Sequence, residues 1–234
     1  EPELIVEKIR NYFQKKNSLK NRKVLITAGP THEKIDAVRF IGNHSSGKMG
    51  FAIAEQCFAR GADVTVVCGP VSIDNVNSKI SICKVSSASQ MFDNTISKVK
   101  DADIIVLAAA VADFSPIKSS ESKLKRGSDN LTIELEPTKD IAAEVGRIKK
   151  ADQISIGFAL ENENELENAK SKLKRKNLDF IVLNSLNDSG AGFNTDTNKI
   201  TIINNKDEIF RFELKSKNLV AIDIIDKLEE ILKP

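Results

Sequence analysis

The sequence predicts an α/β fold: a doubly wound, mostly parallel sheet with helices on both faces and a small antiparallel addition near the C-terminal end. Three observations predict it. Short β-branched or wholly apolar runs at 24–27, 63–67, 80–85 and 103–107 alternate with helical spacings, and that alternation calls for parallel strands joined by right-handed crossovers. The run at 103–107 is continuously apolar after Asp103, as in a strand buried on both faces. Near the end, 199–203 and 208–212 flank the turn-forming Asn204-Asn205-Lys206-Asp207, which reads as a closing hairpin.

Each element follows in order. Leu4, Ile5, Ile9 and Phe13 have helical spacing, and 17–22 is polar and basic. The expected organisation is therefore an N-terminal helix and linker over 1–22 and one domain over 23–234. Strand 24–27 ends at Ala28-Gly29-Pro30-Thr31. A strand and then a glycine turn often opens a nucleotide-binding, Rossmann-like sheet, although the G-x-G-x-x-G fingerprint is absent. A helix from Lys48 stops at Arg60-Gly61. Strand 63–67 closes at Gly69-Pro70, and strand 80–85 leads to a helix capped by Ser86 or Ser87 that runs to Lys100.

Strand 103–107 runs into Ala108-Ala109-Ala110-Val111-Ala112-Asp113. Alanines at a strand's carboxyl end leave room for a ligand, and ligands bind at this edge of open sheets. Tight helix–sheet packing also favours alanine. Asp113 there suits a ribose, a metal or a base edge. Residues 115–130 are polar and contain Lys123-Leu124-Lys125-Arg126; a long surface segment at the binding edge reads as a mobile flap. Alternation at 131–135 predicts a half-buried strand. There follow a helix at 139–150, a strand at 154–158, and a helix at 164–176 on which Lys172 and Lys176 share one face. A strand at 180–183, a loop to 198, the hairpin and an amphipathic helix at 219–232 complete the chain.

The stretch Arg39-Phe40-Ile41-Gly42-Asn43-His44-Ser45-Ser46-Gly47-Lys48-Met49-Gly50 is short, polar and rich in glycine before an apolar helix. Ser45, Ser46, Gly47 and Gly50 allow close approach to the backbone, and the free N–H groups of the helix start would face an anion. Residues 42–48 fit the G-x-x-x-x-G-K part of a P-loop, but Met49 stands where Ser or Thr must bind Mg²⁺. The nearest upstream strand is expected to end near Thr27. An ordinary P-loop is therefore set aside; an unusual phosphate loop or a carboxylate-handling loop stays open.

Composition excludes some classes. The 234 residues carry a net charge of +2, with 41% apolar and 29% charged residues. That balance makes no electrostatic case for nucleic acid or a membrane surface. No run approaches the ~20 apolar residues of a membrane span. Cys57, Cys68 and Cys83 are scattered in apolar runs, which reads as buried thiols in a reducing compartment. With only His32 and His44 beside them, zinc spacing is absent.

These blocks resemble one family, the phosphopantothenate–cysteine ligases (phosphopantothenoylcysteine synthetases) of the bacterial CTP-using type. Ile26-Thr27-Ala28-Gly29-Pro30-Thr31, Arg39, Asn43 to Gly50, Ala109 to Asp113, the Lys123 cluster, Lys176-Asn177-Leu178-Asp179 and Gly192-Phe193-Asn194 occur in the family's order. The resemblance covers nearly the whole chain from about Lys23, and the block from Asn43 to Gly50 is its most specific part.

The resemblance implies a two-step ligation. The carboxylate of 4′-phosphopantothenate attacks the α-phosphate of CTP, giving an acyl-cytidylate and pyrophosphate; the amine of L-cysteine then displaces CMP. Mg²⁺ or Mn²⁺, a homodimer, a cytoplasmic location and fusion to a flavin-dependent phosphopantothenoylcysteine decarboxylase are implied with it; the opening at Glu1-Pro2 suits a piece of such a longer chain.

Carried over by position, Asn43 matches the catalytic asparagine and Lys123 the lysine of the first half-reaction. The CTP positions are Leu107, Ala108, Ala109, Asp113, Lys123, Lys139, Asp140, Ile141, Ala142, Phe158, Lys172 and Lys176. Arg126 replaces the last lysine of the family's K-x-K-K motif, and Lys139 stands where the N-P-D-I motif has proline. For phosphopantothenate, Asn43, Ser45, Ser46 and Gly47 are expected, with Arg39 as an anion partner. Three other readings are an ATP-using version of the same ligase, an NAD(P)-dependent oxidoreductase on this scaffold and a non-catalytic nucleotide sensor.

Overall fold

The computed structural model describes residues 17–73, 76–126, 130–185, 187–188 and 195–232. The helix expected at 3–15 and the motif Gly192-Phe193-Asn194 lie outside the described residues.

A central sheet of eight strands has the order β13-β12-β10-β9-β6-β1-β4-β5. Its strands are β1 (Lys23–Ala28), β4 (Asp63–Cys68), β5 (Ser81–Lys84), β6 (Ile104–Leu107), β9 (Ile154–Glu161), β10 (Phe180–Ser185), β12 (Ile200–Asn204) and β13 (Ile209–Arg211). The six from β5 to β10 along that order are parallel. β12 and β13 are the antiparallel addition that the sequence predicts. The chain runs outward from β1 through β4 to β5, then returns to β6 on the other side of β1. The strand order thus reverses between β1 and β6, which is where open α/β sheets place their ligands.

Period-two alternation sends the strand side chains to two separate cores. Val24, Ile26, Ile104, Val106, Ile156 and Val182 face one side, where α1 (Lys48–Ala59) and α5 (Lys217–Leu232) contribute Ile53, Cys57, Val220, Ile224 and Leu228. Leu25, Ile105, Ile181 and Leu183 face the other, against α2 (Ala88–Val99), α3 (Ile141–Ile148) and α4 (Glu165–Arg175). Each such fully buried aliphatic side chain contributes about 1.5–3 kcal/mol. The stretch 17–22, read as a link, is packed onto this body: Leu19 is 0% exposed and its N–H donates to the Arg60 carbonyl.

Three two-stranded ribbons sit outside the sheet. β2 (His32–Lys34) pairs with β3 (Phe40–Gly42), β7 (Phe114–Pro116) with β8 (Leu135–Pro137), and β11 (Thr197–Asn198) with β14 (Lys215–Ser216). Two expectations change here. A strand does end at Gly42, directly before Asn43 to Gly50, but it belongs to a ribbon rather than to the central sheet. The strand predicted over 131–135 is reduced to β8. No described element of the chain covers Leu131, which is 57% exposed, so its apolar alternation finds no core to bury against. Cys57 and Cys68 are buried as expected, whereas Cys83 is partly exposed and donates to Asn94 Oδ1.

One cap is the one expected and one is not, the helix read from 139 beginning only at Ile141. Ser87 caps α2 in a capping box with Gln90, and Asp140 caps α3 by accepting from the Ala143 N–H at 3.0 Å. Past the cap, α3 lies tight on the end of α4: a Cβ on Gly146 would sit 1.9 Å from the Lys176 carbonyl oxygen. That neighbour is backbone and cannot turn aside. Gly146→Ala should therefore lower stability by about 2–3 kcal/mol, read from the denaturant midpoint. A wild-type midpoint would show that the α3–α4 contact yields without cost.

Candidate active site

The site is built on a seam between the ends of β1 and β6. The Thr27 hydroxyl accepts from the Ala109 N–H at 3.3 Å, and the Gly29 carbonyl from the Ala110 N–H at 2.9 Å. The Thr31 hydroxyl accepts from the Ala112 N–H at 2.9 Å, and Thr138 Oγ1 donates to the Ala112 carbonyl at 2.7 Å. The alanine run is thereby held alongside 27–31, and Ala108, Ala109 and Ala110 line open space. Asn43 crosses to the same run, its Nδ2 donating to the carbonyls of Ala110 at 3.3 Å and Val111 at 3.0 Å.

A cavity of about 530 Å³ opens over this seam, within the ~300–1,000 Å³ usual for small-molecule sites. Its walls come from both faces of the sheet. On one side stand Asn43, Ser45, Ser46 and Gly47 at the start of α1; on the other stand Lys139, Asp140, Ile141 and Ala142 at the start of α3, with Lys172 and Lys176 of α4. Leu107, Ala108, Ala109, Asp113 and Phe158 form the floor. Gly47 begins α1 with φ +75°, a left-handed conformation that a side chain strains, and no side chain caps the helix there. Its first N–H groups are thus available to a ligand.

Charges in the cavity are partly neutralised. Lys176 pairs with Asp140 at 2.9 Å and Lys172 with Glu161 at 3.3 Å. Burial opposes the charged form of Asp140, but the Ala143 N–H and Lys176 outweigh it and hold its pKa below the ordinary carboxylate value. Lys139 lies 4.9 Å over the Phe92 ring. Among the described residues no group of three or more His, Cys, Asp or Glu is arranged to hold a metal ion. A divalent ion would fit here only as Mg²⁺ usually binds, carried on substrate phosphates with one or two carboxylates; Asp113 and Asp140 are the carboxylates in place.

The structure therefore brings together all the expected site residues except Arg39 and Lys123, which do not line this cavity. Arg39 is committed elsewhere. Its guanidinium meets Asp36 at 2.6 Å and donates to the Leu124 carbonyl at 2.6 Å. Asp36, 2% exposed, also accepts from the backbone N–H groups of Val38, Arg39 and Leu124. These bonds dock the Lys123 segment on the loop between β2 and β3. Arg39 thus positions a chain segment instead of facing the cavity.

Thr27 and Lys48 line the cavity from blocks the sequence singles out without a site role for them, and Thr138, Asn184, Asn198 and Lys217 line it unexpected. Asn184 ends β10, where a polar residue at a strand's carboxyl end was an available signal. Lys217 and Asn198 arrive from far along the chain and carry no local pattern.

A family model described as the DNA/pantothenate metabolism flavoprotein C-terminal domain matches residues 19–232. A protein named cysteine/cysteine sulfinic acid decarboxylase, from an unknown prokaryotic organism, is 52% identical over 232 residues, covering 97% of this chain and 65% of its own. The coenzyme A biosynthesis bifunctional protein CoaBC of Bacillus subtilis (strain 168) is 40% identical over 235 residues, 100% of this chain and 58% of its own. The chain thus spans about three fifths of the length of these curated relatives. The crystal structure of a CoaBC C-terminal domain superposes with a TM-score of 0.79 at 38% identity, covering 93% of this chain and 98% of that one.

Asp36 supplies a test of the segment's docking. Burial would raise its pKa, but the N–H groups of Val38, Arg39 and Leu124 and the Arg39 guanidinium hold it far below the usual carboxylate range. A carboxyl depressed on folding adds stability that is complete above its unfolded value, about 3.9, and is lost as pH falls toward the folded value. Asp36→Asn should lower Tm near neutral pH, with the gap to wild type narrowing below about pH 4. Trypsin should cut faster at Lys123, Lys125 and Arg126 in the variant. An acid-insensitive gap with unchanged cleavage would dismiss this role.

Proposed function

The chain belongs to the DNA/pantothenate metabolism flavoprotein C-terminal domain family, and from that premise we propose that it is a phosphopantothenate–cysteine ligase of coenzyme A biosynthesis. One observation carries the reading. Asn43, the uncapped start of α1, the alanine floor with Asp113, and the α3 and α4 residues Asp140, Lys172 and Lys176 line one cavity, although they come from distant parts of the sequence. An oxidoreductase finds no support: the turn after β1 is Gly29-Pro30-Thr31 and lacks the dinucleotide fingerprint.

The reaction is read as carboxylate activation by CTP, followed by transfer to L-cysteine. In the first step a carboxylate oxygen of 4′-phosphopantothenate bonds to the α-phosphorus and the bond to pyrophosphate breaks. In the second, the cysteine nitrogen bonds to the acyl carbon, CMP departs with the electron pair of the broken C–O bond, and the amine loses a proton. Mg²⁺ on the nucleotide would offset the negative charge of the phosphates. Asn43 Nδ2 is committed to the two carbonyls of the alanine run. Its Oδ1 is then the end that orients the intermediate and the incoming N–H. Leu107, Ala108, Ala109 and Phe158 give the anhydride an apolar surround, which limits water. Lys123 can serve the first half-reaction only if its segment reaches this cavity or that of a second copy.

A homodimer belongs to the same proposal. Val38, Phe40, Phe114, Ile117, Leu131 and Leu135 are all at least 43% exposed and lie on or beside the ribbons β2–β3 and β7–β8. Exposed apolar residues gathered in one region mark an interaction surface. A cytoplasmic location and a partnering decarboxylase domain complete the proposal. The decarboxylase domain is supported by the names of the relatives; no described helix is long and apolar enough to cross a membrane.

The reading is tested by pyrophosphate release with 4′-phosphopantothenate, comparing CTP with ATP, and then by amide formation on adding cysteine. Asn43→Ala should retain pyrophosphate release but lower amide formation by about 100-fold or more, as loss of an oriented hydrogen-bonding group in a transition state does. Acyl-cytidylate should then accumulate. Lys123→Gln should instead slow pyrophosphate release itself. Normal amide yield in the first variant, or normal activation in the second, removes the corresponding assignment; wild-type protein inert with both nucleotides removes the ligase.

A further inference from the structure

Glu161 holds one of the cavity's lysines without itself lining the cavity. It is the last residue of β9, and α4 begins soon after at Glu165. The chain turns back there, so the carboxylate meets side chains of α4. Its Oε1 accepts from Lys172 Nζ at 3.3 Å, and its Oε2 from Asn168 Nδ2 at 3.3 Å. Asn168 and Lys172 are one turn apart and share a helix face. Asn168 Nδ2 also donates to the Glu163 carbonyl at 2.9 Å, which ties it to the connecting loop.

The pair is sheltered. The Glu161 side chain is 17% exposed and that of Lys172 29%. Elsewhere on the same helix, Lys174 is 66% exposed and its partner Asp207 47%. A largely buried carboxylate needs partners on both oxygens, and α4 supplies both. Shelter also reduces screening by water and salt, so Glu161 cancels much of the Lys172 charge as felt in the cavity. The ammonium keeps further N–H groups to donate there.

We propose that Glu161 is a positioning residue of the nucleotide site: it fixes Lys172 as a neutralised hydrogen-bond donor, so that the α4 wall takes an uncharged edge of the nucleotide, a sugar or a base, and does not capture its polyphosphate. The inference rests on the ligase reading for the identity of the nucleotide. Without the carboxylate, Lys172 presents an uncompensated charge. Polyphosphate is then drawn to α4, in a pose that carries the reacting phosphorus away from the alanine run. Such nonproductive binding lowers kcat and KM by the same factor and leaves kcat/KM near wild type.

The test uses the whole chain and the variants Glu161→Gln, Asn168→Ala, Lys172→Met and the double variant Glu161→Gln/Lys172→Met. Calorimetric titration with inorganic tripolyphosphate comes first. Glu161→Gln keeps an acceptor for Lys172 and should tighten tripolyphosphate binding by about fivefold, the worth of one partly exposed ion pair. In the Lys172→Met background the same substitution should change nothing, because the effect passes through that lysine. Pyrophosphate release with 4′-phosphopantothenate follows, and in Glu161→Gln both kcat and the KM for CTP should fall by about fivefold. Asn168→Ala, at an exposed position, should give a smaller gain in tripolyphosphate binding and decides the matter if Glu161→Gln does not fold. Tripolyphosphate binding that is unchanged, weaker or undetectable in Glu161→Gln overturns the inference, as does an equal gain with Lys172→Met present, the mark of a structural effect. A kcat lowered at unchanged KM overturns it too. Wild-type protein inert with CTP and ATP removes the ligase reading, while a tighter Glu161→Gln complex with tripolyphosphate still upholds the masking of Lys172.

Discussion

A parallel strand that ends at a sheet's rim leaves backbone groups without a neighbour, and the reversal between β1 and β6 leaves two such ends side by side. Here one carbonyl and two threonine hydroxyls of the first end take up N–H groups of the second. Thr27, Gly29 and Thr31 accept from Ala109, Ala110 and Ala112, so residues 27–31 and 108–113 continue side by side past the sheet. Every wall of the cavity is referenced to this seam. Asn43 is tied to its carbonyls, Thr138 hydrogen-bonds its Ala112 carbonyl ahead of α3, and α1 approaches it through Gly47 and Gly50. Buried amides tolerate no missing partner, so the run 108–113 is fixed before any ligand arrives.

The sheet itself was legible because its signals are local. Apolar runs of strand length, glycine stops and the Ser87 capping position each depend on a few neighbouring residues, and the central strands and their helices fall close to where those signals place them. The strand expected at 131–135 shows the limit. Its alternation is genuine, but alternation reports only that one face wants burial, not that this chain supplies a cover. In the described structure the pairing begins at Leu135 and Leu131 stays exposed. The glycine-rich stretch shows another limit, since β3 precedes it in a ribbon of three-residue strands too short to leave a pattern.

The candidate site was legible in a different way. Position matching to a family assembled residues that periodicity could never have joined, and the cavity holds nearly all of them. Arg39 departs from it because a buried carboxylate holds its guanidinium, and Lys123 because the same carboxylate and Arg39 tie down its neighbour Leu124. Asp36 sits three residues from Arg39, gathers three backbone N–H groups as well, and binds the guanidinium more closely than a solvent-screened ligand could. A motif records that an arginine is present; it does not record which anion holds it. Lys217 was invisible for the opposite reason, because a lysine at the start of a helix looks like solvated surface until the fold closes over it.

The pairing of charge in the cavity would bear on how the proposed nucleotide lies in it. An ammonium already paired with a carboxylate attracts a further anion weakly, yet it still has N–H groups to donate. Lys172 and Lys176 are in that condition, and they stand beside Phe158 and the alanine floor. Such a wall suits uncharged polar edges, those of a sugar or a base, at least as well as phosphate. Opposite it, the uncapped start of α1 offers N–H groups with no acidic residue in its first turn. A ligand with one polyanionic end and one neutral, hydrogen-bonding end would be aligned across the seam by these opposed preferences. Its reacting phosphorus would then lie over the alanine run, within the apolar stretch where water has least to bind.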